Sequence, residues 1–567
     1  MAEEAKKTGD VISPEIKPEK PKNKRPLQII LGIVFLLPAL AMLIITQIIP
    51  TVKTIIFSFQ DVKLLKGGVF IGFDNYVKLF EMPAFGDTII FSLILFLVRL
   101  TAVVIPPLVM ALGIASFKGG FRKVLRIFAN IPLAIYAPVP LALGWFLMLH
   151  PYYGFMGDLL TFRTPAAARL SLILMEGLSF FGLACGIGAT AYLAALLGGV
   201  KQEGKRSVVR SMLIVGLIMV LAVVAISLQD FDSVFLTTRG GPMNSTNTFG
   251  LLQFSLAFVF MNFGLGAALT TILILLAGFS GFIAVLLLLV SRARLFRLSE
   301  KVKTPLVQKA RVLWIILLVL LLIAFIVSLL PYVLVLIINI RRLGVGDKSM
   351  LDIAKFSLTK VLLNTWLPSL VTVLLIQLPV AFLAALGIGG LRPLGKASEW
   401  LLLLFAPWLF FTPMLLDIAN YQTVRNLELL NTLSGLALPF LFNVPLLVIL
   451  TLFFKGQREK WDTEAEQAPF FKAVIAPVLP MAALGALLSL VVMQQNLLWP
   501  TLVSNHPDKF TLPMLLTYNS RMFEAGIASF EVWGISLRIL AALGMFILLG
   551  VFQLYYLDRV ALRTGKQ

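Results

Sequence analysis

Apolar runs of about 20 residues recur from residue 28 to residue 556, separated by short loops. A helix needs roughly 20 apolar residues to cross the hydrocarbon of a bilayer. In lipid the backbone must satisfy its own polar groups, which leaves helices and closed barrels. Twelve candidate spans follow, at 28–50, 86–115, 125–149, 169–198, 211–229, 265–290, 312–340, 366–390, 400–417, 433–454, 473–495 and 531–556. Only 13% of the 567 residues are charged, about half the share of a soluble domain. The expectation is an all-α polytopic membrane protein with about twelve transmembrane helices. The lipid bilayer is its first partner, and no stretch is left over for a soluble catalytic domain.

A net charge of +20 raises the question of nucleic acid, but the cations are placed as a membrane protein places them. They gather in alternate loops: Lys118, Arg122, Lys123 and Arg126; Lys201, Lys205, Arg206 and Arg210; Arg292 to Arg311; Lys455, Arg458 and Lys460. Lys and Arg accumulate in cytoplasmic loops, so twelve spans put all of these, and both termini, in the cytoplasm. No nucleic-acid partner is expected. Five cations between 341 and 365 fall on the expected outside and are the exception. Residues 1–26, polar and rich in Lys and Pro, read as a disordered cytoplasmic tail. Leu27 to Ile49 is too long for a signal-peptide core and reads as a retained span.

Several chemistries lack their residues. One cysteine, Cys185, and two distant histidines, His150 and His506, make neither a disulfide framework nor a metal cluster. No nucleophile–base set or pair of catalytic carboxylates stands out. The Gly-Gly pairs at 119, 198, 240 and 389 lack the Lys-Ser/Thr of a phosphate loop. No catalytic residue, metal or cofactor is expected, so any ATP is bound by another chain.

The charged stretch 291–312 divides the spans six and six. Pro132 and Pro138 in the third span are spaced like Pro407 and Pro413 in the ninth, and the polar pairs Asp87-Thr88 and Asn364-Thr365 precede corresponding spans. The expected organisation is a tail (1–26), a first six-helix unit (27–290), a cytoplasmic linker (291–312) and a related second unit (313–567). Paired halves of this kind hold substrate at their interface, near mid-membrane depth.

The stretch from Phe231 to Leu269 carries Phe231, Asp232, Phe235, Leu236, Thr237, Gly240, Gly241, Pro242, Asn244, Ser245 and Thr246. It resembles the ABC importer permeases of the carbohydrate type, the maltose and glycerol-phosphate group. Ser58, Phe59, Gly72, Asn75 and Tyr76 resemble that family's first outer loop. In the second unit, Leu-Asn-Thr at 430–432 and Gln495, Asn496, Trp499 and Pro500 resemble the partner permease. The resemblance implies two permeases fused in one chain of a bacterial or archaeal cytoplasmic membrane. It also implies ABC ATPase subunits on the cytoplasmic side, an extracytoplasmic solute-binding protein, and transport by alternating access. Gly240, Gly241 and Pro242 become a stiff outer turn. Gln229 and Asp230, with Gln495 and Asn496 at the corresponding end of the eleventh span, become candidates for the substrate pathway.

The same family docks its ATPase through a Glu-Ala-Ala loop. Here that loop is degenerate in the second unit, where Glu464, Ala465, Glu466, Ala468, Leu479 and Pro480 remain but Gln467 stands for the family's glycine. In the first unit, 198–210 has neither Glu-Ala-Ala nor Leu-Pro. Two other readings therefore stand beside import. One is a permease-derived assembly subunit that no longer transports. The other is an ion-coupled secondary transporter, for which Arg99, Glu176, Asp417 and Arg538 are the intramembrane ionisable groups, each alone in its apolar run.

Overall fold

The computed structural model describes residues 25–63, 66–135, 138–149, 162–199, 205–340, 357–463, 468–524 and 533–565. Seven helices among these are long and apolar enough to cross a membrane. They are α1 (Pro26–Ser58), α2 (Pro83–Ala115), α5 (Pro165–Gly198), α6 (Val208–Leu236), α7 (Phe263–Val290), α8 (Arg311–Leu330) and α9 (Leu358–Leu391). Two bent pairs raise the number to nine: α3 (Gly119–Ala134) with α4 (Pro138–Phe146), and α10 (Leu433–Phe440) with α11 (Val444–Thr463). Two further apolar helices, α12 (Leu479–Gln494) and α13 (Trp533–Tyr555), fall within the eleventh and twelfth expected spans. The all-α polytopic architecture therefore stands, with seven to nine membrane-length helices among the described residues against the twelve expected. The ninth expected span, 400–417, is a succession of 3-10 turns at Gly395–Leu404, Ala406–Trp408 and Pro413–Leu416. Pro407 and Pro413 each lack the N–H that an α-helical ladder needs.

Local sequence explains several helix starts. Thr164 caps α5 by accepting from the Ala167 N–H at 3.3 Å, with Pro165 in the first turn. Asn262 caps α7 through the Leu265 N–H at 3.1 Å. Short polar side chains and an N1 proline are what free N-terminal amides favour.

The first helix of each unit also packs on the other unit. α1 lies against α7 and, across the chain, against α9. At Gly387 an added Cβ would stand 2.7 Å from the Gly32 carbonyl, so the two backbones nearly touch. Reciprocally, α8 lies against α2, α4 and α5. Gly113 of α2 gives the Leu318 side chain its room, since a Cβ there would be 2.6 Å from that of Leu318. Small residues permitting close helix approach are the usual means of packing in lipid.

Two short antiparallel ribbons complete the fold, and the sequence reading foresaw neither. At one end, β1 (Gln60–Lys63) pairs with β2 (Lys66–Phe70). At the basic end, β3 (Arg294–Arg297) pairs with β4 (Val560–Arg563) in the register Arg294↔Arg563 to Arg297↔Val560. Each strand follows the last helix of its unit. β4 runs past Gly198 at the end of α5, where a Cβ would lie 2.0 Å from the Leu562 carbonyl. β3 runs past Gly456 in α11, where a Cβ would lie 2.0 Å from the Leu295 carbonyl. The ribbon thus ties the fourth helix of one unit to the fourth helix of the other through two glycines that leave backbone-width gaps. Asp558, buried just before β4, draws in Arg122, Lys123 and Arg126 of α3 at 3.8, 3.7 and 3.6 Å.

Candidate functional site

The pathway candidates sit in two settings. Gln229 lies in α6 at the turn that follows Ser227 and reaches across to the 3-10 segment. Its Nε2 donates to the Ala225 and Phe410 carbonyls at 2.8 and 2.9 Å. Its Oε1 accepts from the Thr412 N–H at 2.7 Å and the Thr412 hydroxyl at 2.8 Å. The 3-10 segment supplies these partners, because its proline-broken turns leave backbone groups outside any helical ladder. Asp230 turns the other way and pairs with Arg99 of α2, which also pairs with Glu176 of α5. Arg99 and Glu176 are therefore not lone groups, as the sequence suggested. They form with Asp230 a buried cluster of one cation and two carboxylates. The Arg99 guanidinium also lies over the Phe180 ring, 5.5 Å from its centroid.

A cluster of different chemistry lies among helices α9, α11 and α12. Asn443, at the start of α11, donates to Ser489 of α12 at 2.9 Å and to Gln377 of α9 at 3.5 Å. Gln377 donates in turn to the Phe440 carbonyl. Gln495 and Asn496 lie nearby, past the end of α12, and Gln495 is buried. Asn496 accepts from the Trp499 N–H at 2.9 Å and lines a cavity of about 20 Å³ with Asn364, Ser369, Gln494 and Thr511. That is room for about one water. The structure thus keeps the two candidate pairs apart: Gln229 contacts Phe410 and Thr412, whereas Asn496 sits among residues of 364–511. Both flank a single apolar cluster that includes Phe231, Met414 and Trp499.

The motif residues fold onto one another. In the Gly-Gly-Pro turn, Gly240 has a φ of +83° and its carbonyl accepts from the Thr246 N–H at 3.1 Å. The Thr246 hydroxyl donates to the Gly241 carbonyl at 2.8 Å. Glycine is needed where φ is positive, and the threonine closes the loop that the glycine opens. Asn75 donates to the Ser58 and Gln60 carbonyls at 3.0 and 2.9 Å, and Tyr76 to the Ser58 hydroxyl at 2.8 Å. Trp499 donates to the Gly435 carbonyl at 2.9 Å, and Asn431 accepts from the Asn505 and His506 amides at 2.7 and 3.1 Å. The Leu-Asn-Thr and Trp-Pro stretches are therefore two sides of one contact.

The expected docking loop is only partly visible. Glu464, Ala465 and Glu466 lie outside the described residues. Its flanks close on each other: Trp461 donates to the Ala468 carbonyl at 2.8 Å, and Arg458 lies over both Trp461 and Phe470, at 4.7 and 5.7 Å. Pro480 occupies the first turn of α12. Sequence reasoning also missed a second link between the units, the Gln253 amide donating to Asp417 at 2.8 Å. The signal for it was a carboxylate and an amide in otherwise apolar runs, where each needs a partner.

The fold is that of an all-α polytopic membrane protein in which helices of residues 27–290 and of residues 313–567 contact one another in part through polar side chains. No protein-family model matches the chain. Curated relatives do. The chain is 27% identical over 272 residues to the sulfoquinovosyl glycerol transport system permease protein SmoG of Agrobacterium fabrum, a match covering 44% of this chain and 87% of that one. It is 27% identical to a probable ABC transporter permease of Pyrococcus horikoshii, over 43% of this chain and 91% of the relative. It is also 27% identical to the trehalose/maltose transport system permease MalF of Thermococcus litoralis, over 42% and 87%. Among solved structures, a bacterial alginate ABC transporter, crystallised with an alginate pentasaccharide-bound periplasmic protein, has a chain that matches with a TM-score of 0.37 and 17% identity, over 46% of this chain and 96% of that one. The chain is thus related to the permease subunits of ABC transport systems, through matches that each span less than half of its length.

Proposed function

We propose that this chain is the membrane-spanning permease of an ATP-driven ABC importer for a sugar or sugar-bearing solute, with two permease units, 27–290 and 313–567, joined by 291–312. The observation that carries the reading is the proportion of the matches. Relatives that are permeases align over 87–91% of themselves but only 42–44% of this chain, which leaves space for a second unit. The reciprocal packing of α1 and α8 supports it. Solute is delivered by an extracytoplasmic binding protein at the Gly240–Pro242 end. Separate ATPase subunits act at the basic end, which faces the cytoplasm together with both termini. The pathway runs along the interface beside Gln229 and Asp230, with Gln495 and Asn496 contributing from the second unit. Glu464, Ala465, Glu466, Ala468 and Pro480 belong to the segment that engages the ATPase. One observation favours the second reading, an assembly subunit without transport: β4 already covers the end of α5, beside the loop where the first unit's docking helix would sit.

Reconstitution tests this. The chain is placed in proteoliposomes with the ATPase and binding protein of its own organism, and uptake of a labelled oligosaccharide is followed. ATP-dependent uptake that Gln229→Ala and Asn496→Ala weaken supports import. Cysteines at Gln467 and Gly204, in a Cys185→Ala background, report docking. A strong ATPase adduct from 467 and a weak one from 204 is expected. No adduct from either, with no uptake, supports the assembly reading.

A further inference from the structure

A second cavity, of about 190 Å³, opens at the basic end between the β3–β4 ribbon and the end of α11. It is far above the roughly 10–15 Å³ that one water needs. Among the described residues its charged lining is lopsided: Arg294, Arg297, Lys460 and Arg563 against the carboxylate of Glu459. That carboxylate is already shared, with Arg294 at 3.1 Å and with Arg392 at 3.2 Å. The Arg297 Nε is buried without a hydrogen-bond partner, and a buried unsatisfied donor is costly. Arg294 and Arg563 face each other as register partners across the ribbon. Burial, with the Arg294 charge next to it, holds the Arg563 guanidinium below its ordinary pKa. The ribbon fixes these cations in place: Arg563 is held by the Gly198 carbonyl at 2.9 Å and by the Phe296 ring at 4.6 Å, and Lys460 donates to Ser299 at 3.1 Å.

Rigid, clustered guanidiniums, one of them with a spare donor at the Arg297 Nε, are suited to a compact, multiply charged oxyanion, because the fork of an Arg side chain matches phosphate oxygens. We propose that this cavity binds a phosphoryl group, and so couples anion binding to the ribbon that joins α5 to α11. The group is either the headgroup of an anionic phospholipid or a soluble phosphate. The importer reading does not require such a site. The site's cytoplasmic position rests on the orientation proposed above, whereas binding itself can be measured in detergent solution, where orientation plays no part.

The test uses the purified full-length chain in a neutral detergent at constant ionic strength. Binding is followed by thermal unfolding and by native mass spectrometry. The additions are inorganic phosphate, phosphatidylglycerol, phosphatidylcholine and chloride. Phosphate, phosphatidylglycerol or both should raise the unfolding temperature, while phosphatidylcholine and chloride should not. An effect of the lipid alone assigns the headgroup, and an effect of phosphate alone assigns a soluble ligand. Arg297→Gln and Lys460→Gln should each weaken binding about tenfold, the loss expected from one charge-assisted hydrogen bond, without changing the unfolding temperature in the absence of anion. No response to either phosphoryl compound overturns the proposal. So does an equal response to chloride, or binding unchanged in both variants. Arg297→Lys, which keeps the charge but loses the fork, should recover only part of the binding lost in Arg297→Gln; a variant that merely fails to fold would show a lowered unfolding temperature before any anion is added.

Discussion

In residues 27–290, the helices α2, α5 and α6 meet through Arg99, Glu176 and Asp230. In residues 313–567, α9, α11 and α12 meet through Gln377, Asn443 and Ser489. Each cluster draws one polar residue from each of three helices. The chemistry differs. One cluster holds a cation and two carboxylates away from water; the other holds only neutral amides and a hydroxyl. Burying charge is expensive unless every charge is compensated, whereas a neutral hydrogen bond between membrane helices contributes little net stability. A fold could therefore use the amide version in both units at lower risk. Intramembrane ionisable groups mark transport pathways as a rule, and the proposed pathway runs beside Asp230.

The largest expected effect comes from breaking the charged cluster. Arg99→Leu strands Glu176 and Asp230, and should cost about 3–5 kcal/mol, seen as a collapse in the yield and unfolding temperature of the purified protein. The triple variant Arg99→Gln, Glu176→Asn, Asp230→Ser copies the second unit's chemistry. It should recover most of the stability and not recover uptake. If uptake returns as well, the charges are only one of two equivalent ways to pack these helices. If Arg99→Leu unfolds like the unaltered protein, the contrast between the clusters is wrong.

The next effect tests whether the two units are alike at the ribbon. Gly198→Ala and Gly456→Ala each place a methyl group 2.0 Å from a strand carbonyl, that of Leu562 and that of Leu295. Backbone cannot yield as a flexible side chain does, so each should cost about 1–3 kcal/mol. Thermal unfolding of the two variants should shift alike. A large loss at one and none at the other would show that only one strand is fixed, and that the ribbon is not a symmetric tie.

Much of this was legible in the sequence, and the exceptions have physical reasons. Hydropathy located the seven to nine membrane-length helices of the described residues because a bilayer imposes one length on every crossing. It did not find the 3-10 course of 395–416, since composition alone does not register that Pro407 and Pro413 interrupt the ladder. Arg99 and Glu176 could be seen as exceptional, but not as partners, because they lie 77 residues apart. The ribbon was missed because β3 and β4 have only four residues each and lie 263 residues apart at closest, so neither carries a periodic signal. Of the candidate site, the Gly-Gly-Pro turn was readable from local chemistry. The bridging role of Gln229 was not, since its partners are two backbone groups and a hydroxyl in the other unit.

The neutral cluster gives a smaller effect. Asn443→Ala removes donors to Ser489 and Gln377 and the cap to the Leu446 N–H at 2.9 Å. It should cost about 0.5–1.5 kcal/mol, well below Arg99→Leu under the same unfolding assay. A loss as large as that of Arg99→Leu would mean the amide network is as critical as the charged one.

The smallest effect belongs to an ion pair of the second unit that faces water. Lys360 and Asp508 meet at 2.9 Å with side chains 53% and 43% exposed, and they put a cation of the anomalous 341–365 stretch beside a counter-charge. The hydrogen bond from Lys360 holds the Asp508 carboxyl below its ordinary pKa. A carboxylate whose folded pKa is depressed adds stability that is present above its unfolded pKa, about 3.9. That stability is lost as the pH falls through the folded value. Solvent screens the pair, and exposed pairs of this kind seldom contribute measurably. Lys360→Met should therefore unfold at the same temperature as the unaltered protein at pH 7, within error. Any difference should shrink in high salt and vanish in acid below the ordinary carboxylate range. A drop at pH 7 as large as that of Asn443→Ala, persisting in salt, would show that burial is not what separates the strong polar contacts of this protein from the weak ones.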